Sequence, residues 1–132
     1  MDGKNEMISK DTNCPVCGEY SFEFPDDYDN CPICGWENDG LQRDQKDFWG
    51  GANVLSVNES KVVYSLIRNE ATKSKVSEII DKYEQRRKGI NTQFRGIDHR
   101  TAKGEECRKA FAQAHSDFIV ELDRMSWTQH EN

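Results

Sequence analysis

The sequence CPVCG at residues 14–18 recurs as CPICG at residues 31–35. In both copies proline follows the first cysteine and glycine follows the second. Proline presets the φ angle of a tight turn, and glycine lets the backbone bend back toward the sulfur atoms. Thirteen residues lie between Cys17 and Cys31, and two such turns at this separation can deliver four thiolates to one tetrahedral metal ion. The predicted metal ligands are Cys14, Cys17, Cys31 and Cys34.

Zinc is the expected metal, because four cysteine thiolates are a common ligand set for structural zinc. A rubredoxin-like iron site uses the same ligands and is the alternative. The short separation of the two turns and the absence of a rubredoxin-type core pattern favour zinc. Because protein thiolates would fill all four positions, none is left for water or substrate, and the predicted role is structural.

Composition predicts a small protein from a reducing compartment. The chain has 132 residues, of which 35% are hydrophobic and 32% are charged, so its core is expected to be thin and a structural metal would supplement it. No apolar run is long enough to span a membrane and no signal peptide is recognisable. We therefore expect a cytoplasmic protein, in which cysteine pairs stay reduced.

Charge is distributed unevenly along the chain. Residues 1–60 carry 13 acidic and 4 basic side chains, whereas residues 61–132 carry 11 acidic and 14 basic ones. An acidic surface repels phosphate backbones and favours basic protein partners. The thiolates of a zinc site would make the first region more acidic still.

The periodicity of apolar residues predicts an α+β fold. Alternation over residues 20–24 predicts a strand between the two cysteine turns, which is the order of a zinc-ribbon hairpin. Ser56 and Glu59 form a capping-box pattern that begins a helix; residues 57–88 form one helix or two, and Gly89 is expected to end them. A last helix, from about residue 105 to 127, carries an apolar stripe.

The predicted organisation has three parts. Residues 1–13 are a flexible leader, residues 14–55 are a zinc-ribbon module and residues 56–132 are a helical unit. The zinc-ribbon hairpin is expected to pack on a C-terminal α-helical hairpin, whose two apolar stripes pair in antiparallel fashion.

The stretch from residue 14 to 61 resembles the bacterial cysteine-rich CPCC family. The resemblance rests on both cysteine turns, on Trp36-Glu37 after the second, on GGAN at residues 50–53 and on SVNE at residues 56–59. The family's first turn usually reads CPCC, where this chain has Val16 in the third position. The resemblance implies a small zinc-binding module, and such small acidic bacterial proteins are often suspected of being immunity proteins paired with toxins.

Acidic residues near the cysteines predict a partner-binding surface, because acid beside exposed aromatic rings suits a basic partner. In the alternative, Phe48 and Trp49 pack between the zinc ribbon and the helices. The predicted surface comprises Asp26, Asp27, Asp29, Asp39, Asp44, Asp47, Phe48 and Trp49.

A basic cluster over residues 86–109 gives a second candidate surface, which contacts nucleic-acid phosphates in one interpretation and is a solvated helix end in the other. The residues proposed for nucleic-acid contact are Arg86, Arg87, Lys88, Arg95, Arg100 and Lys103. Cys107 is expected to be a buried thiol rather than a reactive one, and His99 a solvated loop residue rather than a catalyst.

We expect a binding protein and not an enzyme. The leading hypothesis is an immunity-type inhibitor whose acidic surface covers the basic cleft of a toxin such as a nuclease. The alternative is a nucleic-acid-binding zinc-ribbon regulator, and a hydrolase or redox enzyme ranks third.

Overall fold

The computed structural model describes residues 12–131, with side chains described through residue 125. Most of the predicted leader lies outside these residues. The helices of the described chain are α1 (Gly40–Asp44), α2 (Val57–Arg68), α3 (Lys73–Gln93) and α4 (Ala102–Glu131). None of them is both long and apolar enough to cross a membrane. The chain divides into two compact units between Tyr64 and Ser65, and the boundary at residue 55 stays a prediction.

The predicted α+β fold with a zinc-ribbon hairpin is wrong. Between residues 12 and 131 the regular structure is helical, and extended pairing is limited to two isolated antiparallel bridges, Asn13–Ser21 and Asn30–Glu37. Each bridge joins the two flanks of a single cysteine turn. The alternating segment at residues 20–24 therefore closes its own turn and does not pair with the segment around the other turn.

Local hydrogen bonds explain why each turn closes on itself. The Cys14 amide donates to the Tyr20 carbonyl at 2.7 Å, and the Cys31 amide donates to the Trp36 carbonyl at 2.8 Å. Together with the bond from the Phe22 amide to the Thr12 carbonyl, the first of these pairs residues 20–22 with residues 12–14. The backbone groups that a longer hairpin would need are therefore already used within the first turn. The first unit consequently contains two similar cysteine turns side by side in sequence and no sheet among its described residues.

Both turns require glycine at their last position. Gly18 and Gly35 have φ values of +71° and +87°, which L side chains rarely adopt. Their amides donate to the Cys14 and Cys31 carbonyls, respectively, at 2.9 and 2.8 Å. The repeated glycine of the sequence is thus explained by backbone conformation.

Helix α1 lies within residues 14–55, a segment in which the sequence predicted no helix. The carboxylate of Asp39 accepts hydrogen bonds from the Leu41 and Gln42 amides at 2.9 and 3.3 Å, which caps the helix. The helix buries Gln42 and Arg43. Apolar periodicity could not reveal it, because its buried side chains are polar.

The capping box before α2 is confirmed. The Glu59 amide donates to Ser56 Oγ at 3.1 Å, and the Ser56 amide donates to the Glu59 carboxylate at 2.9 Å. The sequence left open whether residues 57–88 form one helix or two, and the structure has two, α2 and α3. The predicted stop at Gly89 is wrong, since α3 continues to Gln93 and a glycine in a helix interior costs only about 1 kcal/mol.

Helices α3 and α4 form the antiparallel pair that their apolar stripes predicted. The ring of Tyr83 stacks on Phe118 with 4.4 Å between centroids. Ion pairs join Lys82 to Glu121 and Arg86 to Asp117, so residue numbers rise on one helix as they fall on the other. The buried side chains of the pair include Val76, Tyr83, Ile90, Cys107, Ala114, Phe118 and Leu122.

Candidate metal centre

The four predicted ligands converge on one point. Their sulfur atoms all lie within 4.8 Å of one another, with Cys14 Sγ 3.5 Å from Cys34 Sγ and Cys17 Sγ 3.6 Å from Cys31 Sγ. Four sulfurs around zinc at about 2.3 Å would be separated by about 3.8 Å. The cluster therefore has the dimensions of a tetrahedral thiolate site.

Each turn contributes one inner and one outer cysteine. Cys14 and Cys31, the first cysteines of the turns, are 1% and 2% exposed, whereas Cys17 and Cys34 are half-buried. The inner cysteines pack with Phe22, Trp36 and other apolar residues. A metal ion held here would therefore link the two turns next to the apolar core of the first unit. The residues of that core are Cys14, Phe22, Cys31, Trp36 and Val57.

Backbone amides point at the sulfur atoms. The Ile33 amide donates to Cys31 Sγ at 3.4 Å, and the Glu19 amide donates to Cys17 Sγ at 3.5 Å. Such hydrogen bonds offset the negative charge that four thiolates bring to one ion. They arise directly from the two-residue spacing between each sulfur and its donor.

The thiol pKa values differ around the cluster. Burial raises the pKa of the Cys34 thiol and also that of the Cys17 thiol. Burial also acts to raise the pKa of Cys31, but hydrogen bonds from the Cys34 and Ile33 amides and from the Cys17 and Cys34 thiols outweigh it, so the net pKa is lowered. Metal binding would displace the protons that remain on these thiols.

The donor set fits a structural metal ion, with zinc as the expected occupant. Sulfur atoms supply all four ligands, which matches structural zinc and also a four-sulfur iron site. When bound, the ion would act as a cross-link between residues 14–18 and 31–35. The chain's own contribution is to hold the sulfurs at tetrahedral separation and to direct amides at them.

A buried polar network beside this centre escaped sequence-based prediction. Gln42 is fully buried, and its Nε2 donates to the Phe48, Asn53 and Leu55 carbonyls at 3.0–3.3 Å. The Asn53 side chain pairs with Glu37 as a strand would, accepting from its amide at 2.8 Å and donating to its carbonyl at 2.7 Å. The GGAN segment thus ties residues 45–55 to the second cysteine turn.

Arg43 ties the first cysteine turn to the second. Its guanidinium donates to the Asn13 and Pro25 carbonyls and to Asn38 Oδ1 at 2.6–3.1 Å. The guanidinium also lies 5.9 Å from the Phe22 ring centroid and 5.8 Å from that of Trp36. A basic residue in an acidic stretch was the available sequence signal, but sequence alone could not show that it is buried.

The structure separates the predicted acidic surface into two groups. Three carboxylates are engaged within the chain: Asp39 caps α1 and also accepts from the Ala52 amide, Asp27 accepts from Asn38 Nδ2 at 2.9 Å, and Asp47 accepts from Asn58 Nδ2 at 2.7 Å. The hydrogen bond from Asn38 lowers the pKa of Asp27, as do further backbone amide donors. The remaining members, which are all exposed, are Asp26, Asp29, Asp44, Phe48 and Trp49.

The basic candidate surface is largely engaged within the helical unit. Arg86 pairs with Asp117 at 2.7 Å, Arg100 with Asp98 at 3.2 Å and Lys103 with Glu106 at 3.5 Å. The Arg87 guanidinium lies 5.9 Å from the Tyr83 ring and 5.6 Å from the Phe111 ring. Lys88 and Arg95 are exposed on α3 and just after it.

Among the described side chains, the cysteine cluster comprises the four predicted ligands and includes neither Cys107 nor a histidine. Cys107 is buried in α4. His115 is buried on the same helix, where its Nδ1 lies 3.1 Å from the Tyr83 hydroxyl. His99 is exposed before α4, where its carbonyl accepts from Arg108.

One comparison with known proteins finds a match. The family model described as "Cysteine-rich CPCC" matches residues 12–84, which is more than half of the chain and extends from the metal centre into α3. No curated protein matches the chain significantly.

Proposed function

Because this chain belongs to the cysteine-rich CPCC family, we propose that it is a zinc-stabilised binding protein that acts as an immunity-type inhibitor of a basic toxin. The zinc would hold the two cysteine turns together, and the surface beside them would contact the toxin. In this role the protein binds its partner and performs no reaction. A nuclease is the toxin class that we propose, because its phosphate-binding cleft is basic.

The observation that supports this proposal is the charge of the first unit together with its exposed apolar side chains. Residues 12–64 contain ten acidic and three basic side chains, and Arg43, one of the three, is buried. Exposed large hydrophobic side chains accompany this charge: Tyr20, Phe24, Tyr28, Ile33, Leu41, Phe48 and Trp49. Aromatic anchors surrounded by charge of one sign suit rapid capture of an oppositely charged protein.

The nucleic-acid alternative has less support. Three of its six basic residues form ion pairs within the helical unit, so binding a phosphate would require breaking or sharing them. The first unit carries a net negative charge and would repel the phosphates of nucleic acid.

The proposal is tested by expressing the protein together with the toxin-like product encoded beside its own gene. We expect rescue of growth and a complex whose association rate falls as salt is raised. The charge-reversed pair Asp26→Lys and Asp44→Lys should abolish rescue. The matched pair Glu84→Lys and Asp123→Lys makes the same change of charge on exposed positions of the helical unit and should preserve it. Failure of the unaltered protein to bind or rescue would remove the proposal.

A further inference from the structure

A groove in the first unit brings together residues that are distant in sequence. It has a volume of about 470 Å³. Tyr28 and Leu41, which are 56% and 51% exposed, are among the most exposed large hydrophobic side chains of the described chain. Exposed apolar side chains gathered in one concave place mark an interaction site more often than isolated ones do. The lining residues are Pro25, Asp26, Tyr28, Gly40, Leu41, Arg43 and Asp44.

Two tight features of the backbone shape this groove. Tyr28 has a φ of +59°, an uncommon conformation for a residue other than glycine. Its amide donates to the Asn38 carbonyl at 3.0 Å, which attaches this turn to the segment before α1. At Gly40, an added Cβ would lie only 2.8 Å from Asp26 Cβ. The two sides of the groove therefore approach each other closely at the start of α1.

The polar residues of the groove favour a cationic occupant. Asp26 and Asp44 are both exposed, and no ion pair of the described chain uses either of them. Arg43 is the only base among the lining residues, but it is 7% exposed and donates to the Asn13 and Pro25 carbonyls and to Asn38. The solvent side of the groove thus presents carboxylates, a phenol ring and an aliphatic side chain.

We propose that this groove binds an arginine-containing segment of a protein partner. A guanidinium can lie over the Tyr28 ring and donate to the carboxylates of Asp26 or Asp44, while an adjacent aliphatic side chain contacts Leu41. This inference rests on the proposed function, since it names the part of the first unit that a basic toxin would contact. It moves the centre of that surface away from Phe48 and Trp49 to the side of α1.

The groove is tested with a defined probe and the full-length, zinc-loaded protein. The probe is a fluorescein-labelled heptapeptide, Gly-Ser-Arg-Leu-Arg-Ser-Gly, and its twin has citrulline in place of both arginines. Citrulline keeps the size and most hydrogen-bond donors of arginine but removes its charge. Fluorescence anisotropy at low salt should show the arginine peptide binding about tenfold more tightly than its twin. Equal binding of the two peptides would overturn the proposal.

Substitutions locate the binding. Asp44→Asn and Leu41→Ser should each weaken binding of the arginine peptide by about fivefold to tenfold. Tyr28→Asn removes the ring and suits the positive φ, since asparagine adopts this conformation more readily than most residues. Glu23→Gln removes the same charge as Asp44→Asn from an exposed position outside the groove. If Glu23→Gln weakens binding as much as Asp44→Asn does, attraction is unspecific and the proposal is wrong.

The outcomes separate this inference from the function on which it rests. If the protein rescues cells and the variant combining Tyr28→Asn, Leu41→Ser and Asp44→Asn rescues them equally well, the groove is refuted and the immunity function stands. If the protein rescues no cells but the peptide binds in the groove as expected, the immunity function fails and the groove stands. Circular dichroism of each variant verifies that it has folded.

Discussion

The two units of this chain differ in the interactions that stabilise them. The cysteine unit, which is the first unit and ends at Tyr64, has a small apolar core of five residues. It also contains the four clustered sulfurs and buried polar side chains such as Gln42 and Arg43. The pair formed by α3 and α4 relies on two apolar stripes that pack along the helices. In the cysteine unit, a small apolar core is thus accompanied by a hydrogen-bond network of buried polar side chains and by a cysteine cluster that could hold a metal ion.

The largest expected difference between the units concerns the metal. Cys34→Ser removes one of four ligands, and binding of zinc to small sites contributes on the order of 10 kcal/mol to folding. We expect the amide resonances of residues 12–55 to collapse toward random-coil positions, while those of α3 and α4 keep their dispersion. Two-dimensional nitrogen–proton NMR spectra provide the measurement. Cys107→Ala, which changes the cysteine outside the cluster, should leave residues 12–55 unchanged.

The second prediction concerns a substitution that destabilises the pair formed by α3 and α4. Phe118 is 2% exposed and stacks on Tyr83. Truncating such a side chain to alanine costs about 3–5 kcal/mol, which is a large share of the stability of a two-helix core. Phe118→Ala should therefore melt α3 and α4 in thermal circular dichroism at a lower temperature and leave the metal stoichiometry at its original value. Val120→Ala, at a position that is 46% exposed, is the control; a loss as large as that of Phe118→Ala would contradict the assigned face.

The third prediction concerns the polar network of the cysteine unit. Arg43→Met keeps much of the side-chain volume but leaves the Asn13 and Pro25 carbonyls and Asn38 without their donor. Asn38 is fully buried, and leaving a buried polar group unsatisfied costs about 1–3 kcal/mol. We expect the free energy of unfolding of the cysteine unit, measured by urea titration with excess zinc, to fall by about 3 kcal/mol. Lys61→Met, at an exposed position of the same unit, should cost less than about 0.5 kcal/mol, and equal costs would argue against a structural role of Arg43.

The smallest expected effect is an acid dependence of the helical pair. Hydrogen bonds from Arg86 and then Gln113 lower the pKa of Asp117. Because the folded pKa lies below the unfolded value of about 3.9, the contribution of Asp117 is present above that value and is lost as pH falls through the folded pKa. Urea titrations of the helical unit should therefore show a small loss of stability below about pH 4. Asp117→Asn should flatten this dependence, and an unchanged slope would remove Asp117 as its cause.

The sequence predicted those parts of the molecule whose signal is local. The spacing of the four cysteines, the capping box at Ser56 and the apolar stripes of α3 and α4 all appear in the structure. Alternation over residues 20–24 was misleading, because this segment pairs only across the first cysteine turn and does not form a hairpin with the segment around the second. The roles of Asp39 and Arg43 could not be predicted, because sequence does not distinguish a charged side chain in solvent from one that caps a helix or is buried.

The measurement that tests the central claim most directly is the metal content of freshly purified, reduced, full-length protein. Inductively coupled plasma mass spectrometry and native mass spectrometry of the same sample give the identity and the number of ions per chain. We predict one zinc ion per chain, lost on substitution of Cys34 by serine. The absence of bound metal would contradict the assignment of the four cysteines as a metal centre, and one iron per chain would contradict zinc as its metal.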